Sequence, residues 1–362
     1  TAPVDPLGIE VSTLLPGFRE YAADVCVVRS MYTDQFNHAP ADLLMHTGNA
    51  VTGKPSMGAW TTWGLGSMNQ NLPGFVVLGS GGSDPTGGKA LWSSGFLPSE
   101  YQGVRLRSKG DPVLYVSDPK GLARSSRRRM LDALRRLNEL DHERHGDDET
   151  MARVAQYELA YRMQSSVPDL ADLSVEPDRT WEMYGDAARK PGTFANTALM
   201  ARRMVERGVR FVQIYHNNWD THANVAGRLP DQCRDVDQPC HALLTDLEQR
   251  GLLDETLVIW GGEFGRTIYS QGGLSKENYG RDHHPRCFSM WMAGAGVKTG
   301  QTYGTTDDFS YNIVEDPLSV YDLNATILQL LGIQHDRLTF RHAGRDHRLT
   351  DVHGEVVYDV LA

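Results

Sequence analysis

The chain has 362 residues, 40% hydrophobic and 23% charged, with a formal net charge of −10. That is the composition of a globular protein with a sizeable core. The acidic balance argues against nucleic acid or an anionic membrane as partner, although arginines or metal ions in a pocket would still admit an anionic substrate. No run of about 18 apolar residues is present to span a membrane, and four cysteines are too few for a disulfide scaffold.

The sequence begins Thr-Ala-Pro-Val-Asp-Pro, with neither a starter Met nor a signal peptide, as at a mature or trimmed end. Within residues 9–30, Val11, Leu14, Leu15, Phe18 and Tyr21 follow a helical pattern that Pro16 and Gly17 weaken. A strand-like Val25-Cys26-Val27-Val28 comes next. The polar turn from Arg29 to Pro40 then enters the apolar stretch Leu43 to Met45. Strand, polar turn and helix start is where α/β enzymes often hold a nucleophile or an anion.

Residues 48–110 are rich in Gly, Ser, Asn and Pro and read as loops around one strand, Phe75-Val76-Val77-Leu78. Trp60, Trp63 and Trp92 in these loops either pack beneath them or stack on a flat substrate such as a sugar. Over 118–165, Leu and Met at helical spacing are interleaved with Arg127-Arg128-Arg129 and Arg135-Arg136. Two amphipathic helices with solvated charged faces are predicted there, a phosphate-binding patch being the sharper alternative.

A helix over 193–209 runs into a strand, Val209 to Tyr215, which empties into His216-Asn217-Asn218-Trp219-Asp220-Thr221-His222. Asp220 and His222, two apart on an irregular loop at a strand end, can converge on one cation. A helix over 231–251, stopped by Gly251, leads to the strand Thr256 to Trp260 and the turn Gly261-Gly262. Glu263, Arg266, Asp282, His283 and His284 follow, before a second apolar strand from Cys287 to Met292. Ligands of open α/β sheets bind beyond the carboxyl ends of strands, so this loop reads as a site. Cys26 and Cys287 read as core residues, whereas Cys233 and Cys240 pair only if the compartment is oxidising. A last amphipathic helix spans 322–333, and His335, His342, His347 and His353 in the tail read as surface residues.

The segment 251–265, Gly-Leu-Leu-Asp-Glu-Thr-Leu-Val-Ile-Trp-Gly-Gly-Glu-Phe-Gly, resembles the alkaline-phosphatase and sulfatase superfamily, in which such a strand ends in a metal-binding Asp-His-Gly. Phe288 to Gly300 and Asp322 to Ile333 resemble its following strand, glycine turn and helix. With Gly-Glu-Phe-Gly-Arg-Thr (262–267) and Gly-Arg-Asp-His-His-Pro (280–285), the match is closest to a sulfatase-like family of exported bacterial proteins, domain of unknown function 1501. The resemblance covers nearly the whole chain. It implies an α/β fold, an alkaline-phosphatase-like three-layer αβα sandwich with a mostly parallel central sheet. The domain would be single, over 1–362, with a loop and helical insertion at about 49–190. The superfamily's first strand, which bears a metal-binding Asp, has no counterpart in residues 1–20.

The function so implied is metal-dependent hydrolysis of sulfate or phosphate esters by an exported protein, the substrate an anionic ester such as a sulfated glycan. One or two divalent ions are expected, zinc first, with manganese and calcium as alternatives. Asp220, His222, Glu263, Asp282 and His283 are the ligand candidates. Arg266 and Arg281 would neutralise the oxyanion, and Asn37 and His284 would touch substrate. His38, ten residues before Gly48, stands where the superfamily places its nucleophile, and would act as nucleophile or general acid/base. Sulfatases carry Cys or Ser there within Cys-x-Pro-Ser-Arg. This chain reads His38-Ala39-Pro40-Ala41-Asp42, which argues against formylglycine chemistry. Phe264 occupies the place of a ligating imidazole, which His283 or His284 would have to supply. Ser30 and Thr33 miss the offset that a phosphoglycerate-mutase-like nucleophile requires. The rival reading is a superfamily member that has lost catalysis and binds an anionic glycan through its tryptophan-rich loops.

Overall fold

The computed structural model describes residues 2–4, 9–108, 110, 112–113, 121–276 and 278–362, and these form an α/β fold with a mixed sheet. Strand Cys26–Tyr32 lies inside a five-stranded sheet. Gln301–Tyr303 and Leu318–Ser319 run parallel to it on one side. On the other side Phe288–Ala293 runs antiparallel and pairs in turn with Val258–Trp260. A second sheet is all parallel, with Phe75–Ser80 between Val104–Arg105 and Phe211–His216. Phe75–Ser80 is buried at every position, which is why it reads as a continuous apolar run rather than an alternation.

The two sheets meet through side chains rather than ladder hydrogen bonds. Ile214, from the second sheet's edge strand, and Trp219, from the loop after it, pack against the same cluster as Val258 and Trp260 from the first. The indole rings of Trp219 and Trp260 stand 6.0 Å apart. Phe211–His216 and Val258–Trp260 are only half-buried along their whole lengths. The strands Ala2–Val4 and Ile9–Val11 pair with each other. Among the described residues, then, nothing from the start of the sequence joins either sheet.

Helices cover the sheets. His38–Thr47 follows the central strand and stops at Gly48, whose φ of 65° suits glycine. Phe194–Glu206 is capped by the Thr193 hydroxyl, and Val320–Leu330 by a capping box of Ser319 and Asp322. The predicted helical pattern over 9–30 breaks into a strand, a short helix at Phe18–Tyr21 and a turn. Asp237 accepts from the backbone N–H groups of Gly17 and Phe18, fixing the start of that short helix. Residues 48–110 hold more structure than loops around one strand. Met57–Leu65 is a helix capped by Ser56, and Trp60 and Trp92 are buried beneath the surface. Cys233 and Cys240 are both free. They lie on one helix, Val225–Gln249, where seven residues of rise separate them by about 10 Å, beyond the reach of a disulfide. No helix among the described residues is long and apolar enough to cross a membrane.

Candidate active site

Three loops converge at the carboxyl ends of the strands. The first ends at Asn37, the N-cap of His38–Thr47, so His38 opens that helix. The second follows Phe211–His216 and carries Asp220 and His222. The third follows Val258–Trp260 and closes on a two-residue ribbon in which Gly265 opposes His284 and Arg266 opposes His283. Opposed residues of an antiparallel pair point to the same side, and successive residues to opposite sides. Arg266 and His283 therefore share one side, and both reach Asp220. Gly280 lets the second and third loops touch, since a Cβ there would lie 2.0 Å from the carbonyl carbon of His222. Backbone bonds from Arg281 N to Thr221 O and from Val225 N to Tyr279 O, each 2.9 Å, fasten the contact.

Asp220 is the hub. Its carboxylate lies 3.2 Å from His38 Nε2, 2.9 Å from His222 Nε2 and 3.2 Å from His283 Nε2, and it accepts from Arg266. Each of these imidazoles has its other nitrogen committed. His222 Nδ1 is 2.8 Å from the carbonyl of Arg281, and His283 Nδ1 is 2.7 Å from that of Phe36. A carbonyl only accepts, so both Nδ1 atoms carry the proton. His38 Nδ1 lies 2.6 Å from Glu263 Oε1 and donates to it. In their neutral forms all three rings would direct an Nε2 lone pair at a carboxylate that has only lone pairs to offer. A cation, either extra protons or a metal ion, resolves that conflict. Imidazoles fixed through Nδ1–H to carbonyls or carboxylates, with Nε2 converging, are the usual second-sphere arrangement of a metal centre. The ligating atoms of His38, Asp220 and His283 all lie within 4.8 Å of one another, a set of two imidazoles and one carboxylate that could hold a metal ion.

The electrostatics follow from these contacts. The hydrogen bond it donates to Glu263 raises His38 above the usual histidine range, against the opposing effect of burial. Burial would raise Glu263, but the proton donated by His38 holds it low. Burial would likewise raise Asp220, and Arg266 more than reverses it. Phe264, which cannot ligate, is the platform of the site. Its ring centroid is 5.1 Å from that of His38 and 4.5 Å from that of His283, with the Arg266 guanidinium 5.4 Å away.

Other predicted residues lie beside the cluster. Arg281 donates to the carbonyls of Gly280 and Ile268, at 3.2 and 3.4 Å. Asp282 accepts from the backbone N–H of His283. His284, on the far side of the ribbon, is buried, stacks on Tyr311 and hydrogen-bonds its carbonyl. The Asn37 side chain makes no capping bond. Sequence reasoning did not single out Asp42. It lies one helical turn after His38, accepts from the Thr86 hydroxyl at 3.1 Å, and is pushed up to about 7 by burial and then by the charge of Glu263. The i, i+4 spacing from His38 was its available signal.

Comparison with known proteins matches residues 1–361 to the family model described as protein of unknown function (DUF1501). No curated protein matches significantly. Solved structures with a similar course of the chain include Ps i-CgsB in complex with k-i-k-neocarrahexaose (11% identity, TM-score 0.40, covering 88% of this chain and 66% of that one). Two others are the PsFucS1 sulfatase from Pseudoalteromonas sp. (15%, 0.38, 88% and 62%) and the phosphonate monoester hydrolase SpPMH from Silicibacter pomeroyi (14%, 0.36, 88% and 68%). The chain spans just under two thirds of the length of the first two.

Proposed function

The chain belongs to the DUF1501 family, and from that premise we propose that it is a metal-dependent hydrolase of sulfate or phosphate esters. The observation that carries this reading is the convergence of His38, His222 and His283 Nε2 on the Asp220 carboxylate, each ring's Nδ1 already engaged. Asp220 with these imidazoles would hold the ion, zinc being the best match to the donors. Such an ion supplies Lewis acidity toward an ester oxygen and toward water.

The chain's own residues do the rest. Glu263 orients His38 and holds a proton on its Nδ1, which strengthens Nε2 as a base or nucleophile. Arg266 offers a guanidinium fork beside Asp220, a shape suited to the oxygens of a sulfuryl or phosphoryl group. Phe264 keeps water off one side of both imidazoles. A sulfated glycan in an exported setting is the substrate class that the family resemblance favours. The rival, a non-catalytic glycan binder, loses support because Trp60 and Trp92 are buried.

The test is hydrolysis of aryl sulfates and aryl phosphates by the purified protein, with and without a chelator. Turnover that the chelator abolishes, and that His38→Ala lowers at least about 100-fold, is expected. Metal-replete protein inert toward both substrate series would overturn the proposal.

A further inference from the structure

Helix Arg124–His145 forms a hairpin with Asp148–Ala171, and its inner side is well engaged. Leu131 is buried, and Glu158 of the second helix accepts from Arg128 and Arg135, each at 2.7 Å. The second helix reaches the body of the protein through Met163, Val167 and Leu170. The outer side of the first helix is different. Met130, Leu137 and Leu140 are 60%, 64% and 50% exposed, and Ala133 is exposed between them. Positions 130, 133, 137 and 140 alternate by three and four residues, so they form one straight apolar seam rather than scattered surface residues.

We propose that this seam is the interface of a symmetric homodimer, in which the Arg124–His145 helices of two copies pack antiparallel. Charge and register both choose a second copy as occupant. Turned antiparallel about a two-fold axis near residue 135, the seam matches itself. Met130 meets Leu140 of the other copy, Ala133 meets Leu137, and each contact occurs twice, as an isologous interface requires. The same register sets Arg129, which flanks the seam in the basic first half, opposite Glu143 of the other copy, in the second half that holds Glu139, Asp141 and Glu143. Among the described residues of the single chain, Arg129 donates to the Ser126 hydroxyl, at 3.0 Å. The two Arg136 side chains come nearest across the axis, and their long stems turn the charges to solvent.

Sedimentation equilibrium of the full chain over a wide concentration range tests this. A reversible monomer–dimer equilibrium is expected. Leu137→Glu, at an exposed position where folding is indifferent, should raise the dissociation constant more than about tenfold. Arg129→Glu and Glu143→Arg should each weaken the dimer, and the double exchange should restore it, because the pair is then re-formed with its signs reversed. Circular dichroism confirms that helix content is retained in every variant. A single-chain mass at all concentrations overturns the proposal. So does a dimer indifferent to Leu137→Glu, or a double exchange that recovers nothing.

Discussion

Two ionic clusters of this protein use the same kinds of side chain to opposite ends. In the first, Arg202 and Arg203 lie on the buried face of helix Phe194–Glu206, 1% and 3% exposed. Arg202 contacts Glu176 at 2.6 Å and Asp246 at 2.7 Å, and Arg203 contacts Glu176 at 2.5 Å. Arg203 also donates to the carbonyl of Leu170. Each guanidinium has a carboxylate within 2.7 Å, and water has little access. In the second, at Asp220, three imidazole nitrogens without an obligatory proton face one half-exposed carboxylate. The first cluster is complete as it stands. The second, where these nitrogens face the carboxylate, is the one to which we assign the proposed metal-dependent chemistry.

Breaking the structural network should have the larger effect on folding. Glu176→Ala leaves two buried guanidinium groups without their shared partner, and should destabilise the protein by about 3–5 kcal/mol in chemical denaturation. The metal content of whatever remains folded should be unchanged. Loss of metal from the folded fraction would mean that the clusters are coupled.

Next comes the platform of the reactive cluster. Phe264 is 6% exposed, so Phe264→Ala should cost about 3 kcal/mol, and loosening His38 and His283 should also weaken metal binding. A variant that is destabilised yet binds metal normally would reduce Phe264 to a core residue.

The smallest effect concerns Asp42, raised from 3.8 to about 7 by burial and the Glu263 charge. Between those two values the folded chain keeps a proton that the unfolded chain has lost. Stability therefore falls as pH rises through that window and levels off above it, by about 1.4 kcal/mol per pH unit at most. Asp42→Asn should flatten this slope, measured as urea midpoints between pH 4.5 and about 8. An unaltered slope would assign the pH dependence to other groups.

The residues of the candidate site that the sequence singled out were those announced by residue type at a strand end: Asp220, His222, Glu263, Arg266 and His283. His38 was reached by its offset from Gly48. What sequence could not supply was direction. Neighbours on a two-residue ribbon look alike in a string, yet alternation sends His283 to Asp220 and His284 to Tyr311. Phe264, judged as a failed ligand, lies against the rings of His38 and His283, a contact that ligand spacing does not register. For the fold, the helix Met57–Leu65 was hidden because two glycines and two threonines lower its propensity. The Ser56 cap and burial of its first six residues sustain it. The antiparallel course of Phe288–Ala293 was equally silent, because an apolar run carries no direction.

Whether the Asp220 cluster holds a metal ion is measured directly by elemental analysis with zinc equilibrium dialysis at neutral pH. About one tightly bound ion per chain is predicted for the wild type, with a matching rise in thermal midpoint, both lost in a folded Asp220→Asn variant. A wild-type protein that retains no zinc, or an Asp220→Asn variant that retains as much, would contradict it.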